Sequence, residues 1–138
     1  MDSLNKRINF LNEVIKKIKI NNIEAVHGRA EEYANNQREK FDVATSRAVA
    51  RLVVLVEYLL PFVKVGGKCI CMKGSDCDDE IEEAKKAIEI LGGSIKKIDK
   101  FILPGTDIER TIIIIDKVKN TPNNYPRKAG TPSKLPLV

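Results

Sequence analysis

Leu4, Ile8, Leu11, Ile15 and Ile18 recur at steps of four and three residues, which sets them on one face of a helix. Phe10 and Val14 widen that stripe, Lys6, Arg7, Lys16, Lys17 and Lys19 fill the other side, and Asp2 or Ser3 is placed to cap the start. This helix should end before Asn21-Asn22. Ile23 to His27 alternates as a short strand does, and the polar stretch from Asn35 to Lys40 reads as a loop. Phe41 to Ala44 has the length of a buried parallel strand, after which Leu52, Leu55, Val56, Leu59 and Leu60 take up helical spacing until Pro61 stops it. Gly66-Gly67 leads into a strand over Lys68 to Lys73, closed by Gly74. Ile81, Ala84, Ile88 and Leu91 mark the next helix, with Asp78, Asp79 and Glu80 where the dipole favours acids and Gly92-Gly93 at the end. Two further strands, about Ile95 to Leu103 and Thr111 to Val118, are joined by so short a connection that an antiparallel pair at one edge of the sheet follows. Strand–helix alternation closed by a hairpin predicts an α/β fold.

The chemistry of that pattern concentrates between the strand at Phe41 and the helix at Leu52, where Ser46 and Arg47 occupy the connecting loop. In open α/β sheets ligands sit beyond the carboxyl ends of the strands, so a cation there reads as a site residue; it reads equally as the ion-pair partner of a neighbouring carboxylate.

Composition narrows the class without naming an activity. The chain has 138 residues, one domain's worth, with 43% hydrophobic and 31% charged positions, as in a soluble globular protein. No apolar run has the length of a membrane span and Met1-Asp2-Ser3 opens no signal peptide, so a cytoplasmic protein is expected. Cys69, Cys71 and Cys77 are odd in number and build no disulfide framework; a metal site would need a clustered histidine or a second cysteine pair. His27, the sole histidine, reads as structural or surface. The net charge of +5 is informative once located: Lys117, Lys119, Arg127, Lys128 and Lys134 supply all of it, and residues 117–138 hold no acid. Residues 1–119 therefore read as an α/β domain and residues 120–138, with prolines at 122, 126, 132 and 136, as a basic extended tail suited to an anionic partner.

Five motifs in register, Asp2-Ser3-Leu4-Asn5-Lys6-Arg7, Arg29-Ala30-Glu31, Ser46-Arg47-Ala48-Val49-Ala50, Met72-Lys73-Gly74 and Tyr125-Pro126-Arg127-Lys128-Ala129-Gly130-Thr131-Pro132, resemble the RsmG (GidB) family of bacterial small-subunit ribosomal RNA methyltransferases. The resemblance runs along the whole chain. It implies a Rossmann-like class I methyltransferase fold and transfer of a methyl group from S-adenosylmethionine to guanine N7 of 16S ribosomal RNA, acting on the RNA or the small subunit, away from membranes, as a monomer when full length. It places Asp2 on the cofactor ribose, Ala30 and Glu31 against the adenine, and Ser46 and Arg47 beside the methyl donor and target base. Lys73 and Arg110 are similar to the family's cations around the RNA-facing pocket, and Arg127, Lys128 and Lys134 would serve the RNA from the tail.

Guanine N7 has an in-plane lone pair and no proton, so this chemistry asks for alignment and desolvation rather than a general base. Bland alternatives stand beside several assignments: Asp2 as a helix cap, Glu31 and Arg29 as a local ion pair, Lys73 as a solvated strand-end lysine. In the family a glycine-rich turn after the first strand cradles the methionine part of the cofactor, and no such turn lies in these 138 residues. By resemblance the first strand and most of the second are lacking, so weak cofactor binding by this chain alone is expected, with Ile23 to His27 left without a sheet neighbour. The competing expectation is a non-catalytic RNA-binding α/β module with a basic tail. A nicotinamide enzyme is disfavoured because no G-x-G-x-x-G follows a strand.

Overall fold

The computed structural model describes residues 1–47 and 49–138. Its centre is a sheet of four strands, β1 (Phe41–Arg47), β2 (Val63–Lys73), β3 (Gly93–Ile102) and β4 (Glu109–Lys117), in the order β1-β2-β4-β3. β1 and β2 are parallel, while β4 pairs antiparallel with both β2 and β3, so the expected hairpin forms and leaves β3 at one edge. β1 forms the other edge.

Two helices cover one face. α3 (Leu52–Leu59) ends in a 3-10 turn over Leu60–Phe62 where Pro61 forbids continuation, and α4 (Asp78–Ile90) follows β2. Their apolar sides meet Cys69 and Cys71 of β2 and Ile113 and Ile115 of β4 in a single buried cluster. Glycine at 93 is demanded by that packing: a Cβ there would lie 2.8 Å from Ile115 and 2.9 Å from Ile88. A carboxylate oxygen of Glu80, in the first turn of α4, accepts the Leu52 N–H at 2.8 Å and so closes the start of α3. Side chains on the sheet's other face follow the register through Thr45, Ile70 and Ile114 and through Arg47, Met72 and Ile112. That face is open: Ile70, Ile112 and Ile114 are half-buried and Met72 is exposed.

α1 (Asn5–Ile18) forms where the stripe predicts it, but only Ile8 of the stripe is buried. Leu4, Leu11 and Ile18 are exposed and Phe10 is 66% exposed. The cap differs from expectation: Leu4 occupies the N-cap position, and Asp2, two residues earlier, accepts the Leu4 N–H at 2.8 Å. The expected strand over Ile23 to His27 is absent. One parallel bridge between Asp2 and His27 remains, with Asp2 N–H donating to Val26 and Gly28 N–H to Asp2, both at 3.1 Å. Among the described residues no longer strand lies alongside, and a strand without a ladder partner gains nothing by extending. α2 (Ala30–Tyr33) is a single helical turn.

The tail is the largest departure. Residues 120–138 were expected to be extended and instead return to the body and dock. Arg38 donates to the carbonyls of Thr121, Pro122 and Tyr125, and the Glu39 carboxylate accepts from Asn120 Nδ2 at 2.6 Å and Thr121 N–H at 2.7 Å. Arg127 forks onto Glu57, and a short helix, α5 (Thr131–Lys134), buries Pro132. Prolines do exclude a ladder here; body side chains satisfy the tail's backbone groups instead. Docking also revises the charge expectation. Lys117 is fully buried against Glu39, Thr121 and two carbonyls, and Arg127 is neutralised by Glu57, leaving Lys119, Lys128 and Lys134 exposed. No helix among the described residues is long and apolar enough to cross a membrane.

Candidate functional site

A cleft of about 1000 Å³ separates the free edge of β1 from the segment joining α1 to α2. One wall comes from Asp2, Ser3 and Arg7 at the start of α1 and from Gly28, Arg29, Ala30 and Glu31 at α2. The opposite wall is β1 itself, from Phe41 to Arg47, with Tyr58, Leu59 and Phe62 behind it. The cleft thus brings together Asp2, Ala30, Glu31, Ser46 and Arg47, five residues from three separated stretches of chain. Ala48, in the same motif as Ser46 and Arg47, lies outside the described residues.

Each wall is fixed by local chemistry. The Leu4 N–H, and next the Arg7 guanidinium at 3.1 Å, hold the Asp2 carboxyl below the usual carboxylate range, so it is ionised at neutral pH. His27 Nε2 lies 3.1 Å from the Ser3 carbonyl and ties that wall to the start of α1, a structural role. Glu31 is only 6% exposed, and its Oε1 accepts the Gly130 N–H at 3.2 Å. It forms no pair with Arg29 among the described residues. Ser46 is half-buried and Arg47 exposed at the carboxyl end of β1, where Arg47 makes no ion pair among the described residues. Phe41 and Phe62 pack edge to face with ring centroids 6.0 Å apart, giving this end of the cleft an aromatic lining.

The remaining candidates lie outside the cleft lining. Lys73 and Arg110 do lie at the same end of the sheet as Arg47, because Arg47 is opposite Met72, Lys73 opposite Thr111 and Arg110 opposite Phe101. Lys73 is nevertheless no free cation: its Nζ lies 2.6 Å from Glu80 and donates to the Ala50 carbonyl at 2.9 Å, bracing the start of α4 against the loop after β1. Arg110 is exposed and donates to the Glu109 carbonyl. Lys128 and Lys134 project from the docked tail into solvent.

Sequence reasoning passed over three residues. Arg7, read as part of a solvated face, lines the cleft and holds Asp2; the pair spans five residues and the helix start, so helical spacing gave no signal for it. Glu57, the single acid in Leu52-Val53-Val54-Leu55-Val56-Glu57-Tyr58-Leu59, is fully buried, and a charge in so apolar a helix announces a paired partner. Tyr58, which lines the cleft, carried no signal. The three cysteines are buried and free, with burial pushing the Cys71 thiol up to about 12 and Cys69 higher still, so neither forms thiolate at neutral pH. No group of three or more His, Cys, Asp or Glu suited to a metal occurs among the described residues.

The family model for rRNA small subunit methyltransferase G (GidB) matches residues 1–112. Proteins with that name from Lachnoclostridium phytofermentans and Desulforamulus reducens are 56% and 55% identical over the whole chain, and one from Clostridium tetani is 52% identical over 99% of it. The chain spans 58% of the length of these relatives. An rRNA methylase from Streptococcus thermophilus superposes with a TM-score of 0.62 at 16% identity, over 86% of this chain and 71% of that one. A SAM-dependent methyltransferase from Methanosarcina mazei gives 0.63 at 12% identity, over 85% and 80%. These likenesses show a Rossmann-like class I fold.

Proposed function

Because the chain belongs to the rRNA small subunit methyltransferase G family, we propose that it contributes the ribose-, adenine- and target-facing residues of an enzyme that methylates guanine N7 in 16S ribosomal RNA. One observation carries this reading: Asp2, Ala30, Glu31, Ser46 and Arg47, far apart in sequence, line one cleft. The donor set suits the nucleoside part of S-adenosylmethionine. Asp2 and Glu31 offer carboxylate acceptors to ribose hydroxyls and the adenine amino group, and Phe41, Val43 and Tyr58 offer apolar surface to the base. When bound, S-adenosylmethionine supplies an electrophilic methyl group on a sulfonium.

Asp2, already ionised and held by Leu4 and Arg7, orients the ribose through its remaining acceptor capacity. Arg47, exposed at the end of β1, donates to guanine O6 or to a flanking phosphate and so aligns N7, while Ser46 packs beside it. No residue has to remove a proton, since N7 carries none. The internal pairs of Lys73 and Arg127 assign them to bracing, which leaves Arg110, Lys128 and Lys134 for phosphates. The ribosomal substrate puts the protein in the cytoplasm.

Isothermal titration with S-adenosylmethionine tests the cofactor half: Asp2→Ala should weaken binding about tenfold, the size of one lost hydrogen bond to a charged group. An unchanged affinity removes Asp2 from the site. For the reaction, mass spectrometry of digested 16S RNA from cells lacking the complete gene should show N7-methylguanine missing at one position. Undiminished modification overturns the assignment.

A further inference from the structure

We propose that the C-terminal segment is a positioning strap for the cleft, in which the main-chain N–H of Gly130 holds the Glu31 carboxylate ready for the N–H or O–H donors of a nucleoside. The proposal rests on the cofactor reading above and adds to it a residue that does not itself line the cleft. Glu31 is almost wholly buried in the cleft wall and, among the described residues, has no ion-pair partner. A carboxyl group withdrawn from water needs hydrogen-bond donors in the protein to replace the water it has lost, and the donor present here is the Gly130 N–H.

The contact is bracketed by anchors three residues away on either side. Arg127 meets the buried Glu57 carboxylate through Nη2 at 2.6 Å, Nε at 2.9 Å and its own main-chain N–H at 2.9 Å. Ser133 Oγ lies 3.0 Å from the hydroxyl of Tyr58, itself a lining residue. The strap therefore fixes both Glu31 and Tyr58. Gly130 has φ +82°, with nothing within 4 Å of where a Cβ would stand. Backbone conformation alone, and not space, calls for glycine here.

That combination gives a selective test. Gly130→Ala disfavours the left-handed conformation without a clash, whereas Gly130→Asn retains it, since asparagine visits that region more readily than other non-glycine residues. Binding of S-adenosylmethionine, measured by titration calorimetry, should weaken about tenfold in Gly130→Ala and no more than about threefold in Gly130→Asn. In a Glu31→Ala background the Gly130→Ala change should cost nothing further, because the group it positions is gone. Full additivity of the two substitutions, or wild-type affinity in Gly130→Ala, overturns the proposal. Amide exchange read by NMR separates it from the cofactor reading: the Gly130 N–H should be protected in the wild-type chain and released in Glu31→Ala. If the wild-type chain binds no S-adenosylmethionine, the cofactor reading fails for it, and exchange alone decides the strap. Gly130 protection unchanged by Glu31→Ala then overturns the strap as well.

Discussion

The side of the sheet under α3 and α4 and the side that faces the cleft are built from similar residue types and end in opposite conditions. Under the helices, Cys69, Cys71, Ile113 and Ile115 are sealed, and the charges bordering that core are matched in pairs: Lys117 with Glu39, Arg127 with Glu57, Lys73 with Glu80. On the cleft side, Val43 and Phe41 on the β1 edge are exposed, and Glu31 and Arg47 have no ionic partner among the described residues; Leu4, Phe10 and Ile18, at and along α1, are exposed as well, outside the cleft lining. The cations bordering the core are each held by a carboxylate, whereas in the cleft Asp2 is held by Arg7 at 3.1 Å and Glu31 and Arg47 have no such partner among the described residues. The contrast explains why Lys73 and Arg127, which look like binding cations in sequence, belong to the first group, and why a carboxylate as buried as Glu31 belongs to the second.

The widest gap between the two sides should come from deleting equivalent apolar bulk. Ile113 is fully buried between α3, α4 and its neighbours, so Ile113→Ala loses transfer energy and leaves a cavity, at about 4 kcal/mol. Phe10 removes little surface from water, and Phe10→Ala should change stability by no more than about 0.5 kcal/mol. Urea unfolding followed by circular dichroism measures both. Comparable losses would mean that the α1 stripe is covered in solution and that the two sides do not differ.

How far the sequence reaches follows the same division. The spacing of Leu52, Leu55 and Leu59, and of Ile81, Ala84 and Ile88, located α3 and α4 because those residues pack where they point. The α1 stripe located its helix equally well but could not reveal that most of it would be exposed, since periodicity reports a face and not what meets it. The tail was illegible for another reason: its docking uses Arg38, Glu39, Glu57 and Glu31 to satisfy single backbone groups, and such contacts have no period. Glu39 even holds φ +51°, unusual for a residue with a side chain, with its N–H bonded to the Pro61 carbonyl at 2.8 Å. Ser46 and Arg47 were flagged by their place after a strand, whereas Asp2, Ala30 and Glu31 came from motif resemblance alone. Nothing in residue spacing places Asp2 beside Glu31 and Arg47, because three-dimensional closure of the α1–α2 segment over β1 does so.

A smaller effect should come from the clasp at the start of the tail. Burial by itself would raise the Glu39 carboxyl, but bonds from Asn120, Thr121 and Lys117 outweigh it and hold the group below the usual glutamate range. A depressed carboxyl stabilises the fold above its ordinary range and loses that contribution as pH falls through its folded value. Glu39→Gln should thus cost about 2 kcal/mol at pH 7, where it leaves buried Lys117 without its counter-charge. The difference from wild type should shrink once the pH drops below about 4. Urea midpoints at pH 7 and pH 3 give the comparison, and a constant difference would show that the carboxylate charge contributes nothing to docking.

The smallest expected effect separates the tail's paired cations from its free ones. Deleting residues 120–138 would confuse the two, since it also removes the buried Thr121 and the partner of Glu57. Single substitutions keep them apart. Lys128 and Lys134 are exposed, and each one that neutralises a phosphate releases condensed counterions, so Lys128→Ala or Lys134→Ala should reduce the slope of log affinity against log salt by about 0.7 for single-stranded RNA. Lys117 is as cationic in sequence but fully buried, and Lys117→Met should leave that slope unchanged while lowering stability. Titrations of a 16S RNA fragment at several salt concentrations read all three variants. Equal slopes across them would mean that the exposed lysines meet no phosphate and that the tail serves the fold and the cleft alone.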